Sequence, residues 1–169
     1  PVSAAAVMLP DNYSHPLLDD SKKLSEKKRE QIYEDIMSDS AIQWGHSYAD
    51  VNEIDTINIL RATHAAMARA VDQLSLADPY CLIDGLAVPN FPYRSKGVVK
   101  GDGKSLSIAA ASIIAKVKRD RLMVSYAEEY PEYGFEKHKG YGTKAHLIAL
   151  RENGPTKIHR QSFAPVAQL

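Results

Sequence analysis

Residues 98–120 read VVKGDGKSLSIAAASIIAKVKRD and gather most of the chain's chemically suggestive types into one stretch. Gly103, Lys104 and Ser105 could end a phosphate-cradling loop. Such a loop needs another glycine five positions before the second one, and position 98 holds Val, with Gly97 and Gly101 out of register. The spacing matters because successive backbone N–H groups must curl around one phosphate. A nucleotide-hydrolysing loop is therefore disfavoured, and the segment reads as a basic loop ahead of an Ala-rich helix. On that helix Ser112, Lys116 and Asp120 stand four apart and share one face, among Ile108, Ile113, Ile114 and Val117. Burying a carboxylate without a partner is costly. Asp120 must then pair with Lys116 or a neighbouring Arg, or face a bound cation. A second acid, Asp84, follows the apolar run Tyr80–Ile83. It is either the start of an Asp-Gly turn or a ligand at the carboxyl end of a strand, where open α/β sheets bind.

These residues sit in the basic part of the chain. Residues 94–169 carry 14 Lys/Arg against 7 Asp/Glu, and residues 1–93 carry 7 against 14, although the whole is neutral. A basic half suits an anionic polymer, since each neutralised phosphate releases counterions; a solvated surface of mixed charge is the plainer alternative. The 169 residues, 44% hydrophobic and 25% charged, have the size and composition of one globular domain. Cys81 is the only cysteine, which excludes an intrachain disulfide and favours a reducing compartment. No apolar run approaches the roughly 20 residues of a membrane-spanning helix.

The elements that must position these groups alternate. Val2–Leu9 reads as a buried strand. Ser25 is an N-cap for a helix to about Ser38, and Ile42–Tyr48 alternates as a strand. Asp50 with Glu53 resembles a capping box, opening a helix that reaches Leu74 with a break near Asp55–Thr56. Tyr80–Ile83 is a short strand, and another lies near Gly97–Val99. A long helix spans about Ser107–Tyr130. Pro131–Gly142 reads as a loop, and a helix from Thr143 ends at Gly154–Pro155. Strands interleaved with helices predict an α/β fold.

Six segments together resemble type 2 ribonucleases H, the ribonuclease HII family. They are DSKKLSEKKRE (20–30), IDG (83–85), VKGD (99–102), IAAASIIAKVKRD (108–120), YGFEKHKGYGT (133–143) and HRQSF (159–163), in the family's order. The resemblance covers essentially the whole chain. It implies a ribonuclease H-like fold, a mixed sheet flanked by helices, in one domain. It implies cleavage of the RNA strand in RNA–DNA hybrids, and 5′ of single ribonucleotides embedded in duplex DNA, by a monomer in the cytoplasm. It implies two divalent ions, Mg²⁺ or Mn²⁺, held by carboxylates. Carried over residue by residue, it implies Asp84 and Asp120 as catalytic metal ligands. Tyr141 is implied to stack at the RNA-to-DNA junction. Lys22, Lys100, Lys116 and Arg160 are implied phosphate contacts, with Ser112 and His138 as weaker candidates.

One departure qualifies this. The family opens with a strand carrying an Asp-Glu pair and a Gly-Arg-Gly turn, which supply two further ligands and read the ribose 2′-OH. This chain shows neither, and Pro1 stands where the residue after that turn belongs. The expectations that follow are a missing first, central strand, neighbouring strands left with unpaired edges, and no nuclease activity from residues 1–169 alone. The alternative function is a catalytically dead nucleic-acid-binding domain of the same fold.

Overall fold

A computed structural model describes residues 1–18 and 24–169. Lys22, one of the expected phosphate contacts, lies outside the described residues.

The first strand, β1 (Val2–Met8), pairs antiparallel with β2 (Gln43–Ala49), with Ala5 opposite His46. Its small and branched side chains alternate between two cores. Ala5 and Val7 pack with Trp44 against Ile32 and Ile36 of α1 (Glu26–Ser38) and Ile113 and Ile114 of α4 (Leu106–Glu129). Val2 and Ala4 face the other way, onto Ile54 of α2 (Val51–Ile57) and Ala62 and Ala66 of α3 (Ile59–Asp72). Period-two alternation in a strand thus decides which helices cover which face. A third cluster joins Met123 of α4 to Tyr133, Phe135, Ala149 and Leu150, which belong to the C-terminal elements α5 (Phe135–His138) and α6 (Lys144–Asn153) and the turn before them.

Caps set the helix starts where the side chains allow. Ser25, Asp50, Ser105 and Thr143 each accept the backbone N–H of the residue three positions on. The break in the second helical segment falls at Asn58 rather than at Asp55–Thr56. Asn58 has φ 66° and ψ 161°, outside the helical regions, and its side chain accepts from Arg61 N–H to start α3.

The strands β3 (Tyr80–Asp84) and β4 (Arg94–Val98) form a separate parallel pair. β4 begins three residues earlier than its sequence suggests, because the pairing of Tyr80 with Arg94 sets its register. A Cβ on Gly97 would lie 2.4 Å from Ala87 N, so only glycine lets the intervening loop cross this strand. Pro131–Gly142 is not continuous loop either: it holds a 3₁₀ turn at Pro131–Tyr133 and then α5.

Among the described residues the sheet is in two pieces, β1–β2 and β3–β4. A cavity of about 680 Å³ lies where they would meet, lined by Ala4, Ala6 and Met8 of β1, Leu82 and Asp84 of β3 and Ala111 of α4. Residues of β1 and of β3 thus line opposite parts of one largely apolar cavity.

Candidate functional site

Asp84 ends β3, and the chain leaving β4 turns back onto it. Lys100 takes a left-handed conformation, φ 57°, which swings the next residue toward the strand end. There Gly101 N–H donates to Asp84 Oδ1 at 2.7 Å. A side chain on Gly101 would put a Cβ 2.6 Å from Ile108 Cδ1 and 3.3 Å from Asp84 Oδ1, so any larger residue would have to displace the end of Ile108. Asp102 follows directly and is only 8% exposed, whereas Lys100 is exposed. Ser112 lines the same cavity as Asp84. This corner carries a strand-end acid, a buried acid on the adjoining loop and an exposed lysine.

Asp120 stands further along α4. The loop around Asp84 rests on Ile108 in the first turn of α4. Asp120 is twelve residues further along that helix, about 18 Å of rise. That rise sets Asp120 well along α4 from the residue on which the Asp84 loop rests. Asp120 accepts a hydrogen bond from Lys116 Nζ at 2.8 Å, the i,i+4 salt bridge that the helix spacing allowed. The acid that the topology places next to Asp84 is Asp102. It stands in the sequence as the acid of VKGD, whereas the resemblance is carried onto Asp120; a loop closure of this kind is not readable along one element.

The Lys116–Asp120 pair builds a second feature. Lys116 Nζ lies over the Tyr141 ring at 5.2 Å from its centroid, and the Arg119 guanidinium does so at the same distance. Arg119 Nη1 also donates to Lys139 O at 2.9 Å, tying the loop to the helix. Tyr141 remains 57% exposed, so an aromatic face is offered outward from a cationic platform. Arg119 went unremarked at the level of sequence, since nothing local marks it off from its basic neighbours.

The remaining candidates divide. Arg160 is half-buried: it donates to Pro1 O at 3.4 Å and lies over the Phe163 ring at 4.9 Å. Burial, then the like charge of Arg119, lowers its pKa, and Asp55 partly offsets this. The next two residues, Gln161 and Ser162, donate their N–H groups to Asp55 at 2.8 and 3.1 Å, which anchors HRQSF. His138 has both ring nitrogens on backbone: Nε2 on Tyr133 O at 2.8 Å and Nδ1 on Gly140 N at 3.2 Å. It holds the Tyr141 loop rather than facing outward. The buried His146 and His159 were not singled out from the sequence, and only burial distinguishes them.

Among the described residues no three His, Cys, Asp or Glu side chains gather closely enough to hold a metal ion. Asp84 and Asp102 nonetheless supply hard carboxylate oxygens of the kind Mg²⁺ and Mn²⁺ take.

A family model, Ribonuclease HII, matches residues 1–166. Ribonuclease HII of Desulfitobacterium hafniense is 51% identical over 168 residues, which are 99% of this chain and 64% of that protein. The Bacillus licheniformis protein of the same name is 55% identical over 166 residues, 98% of this chain and 64% of its own. That of Coxiella burnetii is 52% identical over all 169 residues and 83% of its own length. The chain thus spans slightly under two thirds of the first two relatives. Two solved structures share the fold. The ribonuclease H2 of Pyrococcus horikoshii OT3 superposes with a TM-score of 0.75 at 18% identity, covering 99% of this chain and 96% of that one. The PCNA:RNase HII complex from Archaeoglobus fulgidus gives 0.71 at 21%, covering 95% and 86%. On the extent of these matches, the chain belongs to the ribonuclease HII family.

Proposed function

We propose that this chain serves an endonuclease that cleaves the RNA strand of RNA–DNA hybrids and cuts 5′ of single ribonucleotides in duplex DNA. Family membership supports the reaction class. The observation that carries the reading within this chain is Tyr141, exposed and cradled by Lys116 and Arg119. An outward aromatic face stacks on a sugar or base, and the flanking cations neutralise phosphates. Lys100, exposed beside the Asp84 corner, offers a further phosphate contact. Arg160 acts mainly by holding the HRQSF segment against Pro1.

In this reading Asp84 and Asp102 contribute carboxylates to the site of a divalent ion, Mg²⁺ or Mn²⁺. Such an ion, when bound, supplies Lewis-acid stabilisation of charge on the scissile phosphate. Gly101 N–H keeps Asp84 Oδ1 oriented, which leaves the other oxygen for the ion. With no third ligand gathered among the described residues, residues 1–169 alone are expected to bind duplex and metal with little or no cleavage.

Two measurements on the purified chain test this. Fluorescence anisotropy with a duplex carrying one ribonucleotide should show binding that falls steeply with salt. Manganese titration followed by electron paramagnetic resonance, with the duplex present, should show binding that Asp84→Asn removes. Duplex binding without any metal binding would favour a second reading, a nucleic-acid-binding domain without catalysis, which the sparse set of ligands among the described residues also suits. Absence of duplex binding would overturn both.

A further inference from the structure

Three histidines lie packed behind the Tyr141 loop. His138 stacks on His146 at 4.7 Å between ring centroids, and His146 Nε2 lies 3.1 Å from His159 Nε2. His146 and His159 are each 8% exposed. The hydrogen bonds around them leave one consistent placement of protons. Thr156 N–H can only donate, and it points at His159 Nδ1 at 3.0 Å, so Nδ1 carries no proton. The neutral ring then has its proton on Nε2, which donates to His146 Nε2. His146 must therefore carry its own proton on Nδ1, and Nδ1 lies 3.0 Å from Tyr141 O. Isolated neutral imidazoles can choose either nitrogen; here the chain from Thr156 decides for both.

We infer that His146 and His159 are positioning residues for Tyr141: a tautomer-locked relay from Thr156 through both imidazoles to the Tyr141 carbonyl that holds this loop in its substrate-facing conformation. The inference rests on the reading that Tyr141 meets nucleic acid. Arg119 and His138 tie neighbouring residues of the loop, at Lys139 O and Gly140 N, but not the Tyr141 backbone itself. Tyr141 O also accepts Thr143 N–H at 2.7 Å, and Tyr141 N–H donates to His138 O at 2.9 Å, both bonds within a few residues. The relay is the hydrogen-bonded tie that runs from Tyr141 to the C-terminal segment. The groups facing it are His138 of α5, Tyr133 of the preceding turn and Phe135, none negatively charged at neutral pH. Protonating either ring would set two N–H groups against each other, at His159 Nδ1 or between the two Nε2 atoms. Burial and mutual repulsion lower the His159 pKa to about 4, and burial first also lowers that of His146, in keeping with neutral rings.

Long-range ¹H–¹⁵N spectra of the imidazoles read the tautomers directly. At pH 7 His146 should carry its proton on Nδ1, and His159 and His138 on Nε2. In His159→Phe, which keeps a ring in the buried site, His146 should lose its fixed Nδ1–H form. Amide exchange at Tyr141 and Gly142 should then quicken about two- to tenfold, the share of one hydrogen bond. His146→Asn places an amide N–H₂ where Nδ1–H stood, so adding it to His159→Phe should restore slow exchange. A purely packing role for His159 would give no such rescue. An Nε2–H tautomer of His146 in the wild type, or unchanged exchange in His159→Phe, would overturn the relay. Affinity for the ribonucleotide-containing duplex, measured in parallel, should fall by a similar factor in His159→Phe. If the tautomers and exchange behave as stated but Tyr141→Ala leaves that affinity unchanged, the functional reading of Tyr141 fails while the relay stands.

Discussion

Tyr141→Ala removes the group on which the functional reading depends, and its effects on folding and on binding can be separated in advance. The ring is 57% exposed, so little apolar burial is lost. Its contacts with Lys116 and Arg119, each 5.2 Å from the centroid, are exposed cation–π pairs. At about 0.5–1 kcal/mol apiece they set the stability loss at roughly 1–2 kcal/mol. Stacking of an aromatic side chain on nucleic acid is worth about 1–3 kcal/mol, or roughly 5- to 150-fold in Kd. The binding loss should thus reach or exceed the folding loss. Tyr141→Phe keeps both the ring and its cations and should stay near wild type in both. Anisotropy with three substrates gives the decisive comparison: a duplex with one ribonucleotide, an all-DNA duplex and a long hybrid. The single-ribonucleotide duplex should lose most, because a long RNA stretch offers alternative registers. Equal losses on all three, or a loss in Tyr141→Ala matched by a drop in urea midpoint alone, would show that Tyr141 only packs its loop.

Other consequences follow from the same geometry. Asp102→Asn should weaken Mn²⁺ binding about as much as Asp84→Asn, whereas Asp120→Asn should leave it within a factor of about two and instead loosen Lys116; titrations of the three variants would contradict the placement of the site if Asp120→Asn had the largest effect. Gly101→Ala should destabilise by about 1–3 kcal/mol through its clash with Ile108 Cδ1 at 2.6 Å, and Ile108→Val, which removes that atom, should recover part of the loss in urea unfolding. His159 and His46 are both held neutral, with pKa values lowered to about 4, by burial first and then by His146 and Lys118 respectively. As pH falls below the unfolded value of roughly 6.5, the unfolded chain takes up these protons and the folded one does not, so stability is lost between about pH 6.5 and 4. By pH 5 the pair should cost on the order of 2–4 kcal/mol relative to pH 7, and His159→Asn should remove about half of that dependence; a pH 7-to-5 difference unchanged in this variant would refute the assignment.

Local chemistry was legible without a structure. Ser25, Asp50 and Thr143 announce helix starts because a capping side chain bonds N–H groups only two or three residues away. Gly154 marks the last helix end for a similarly local reason. The apolar runs of β1 and β3 and the Lys116–Asp120 spacing likewise depend on the period of one element. The ribonuclease HII resemblance came from six such local segments in order, and the chain's family match bears it out. The break at Asn58 was placed three residues early because positive φ is a property of the packed chain as much as of the residue.

The set of elements, their type and the class of chemistry that their side chains could serve were thus written in local patterns. Only the tertiary structure decided which of those side chains meet. Helix rise carries Asp120 about 18 Å along α4 from Ile108, while a loop closing through Gly101 N–H brings Asp102 to the end of β3. Arg119 joins Lys116 over Tyr141, and Thr156 reaches Tyr141 only through His159 and His146. Apart from the Thr156–His159 turn, each of these contacts joins residues from different parts of the fold. Their distance depends on how helices and strands pack, a quantity that no spacing within a single element contains.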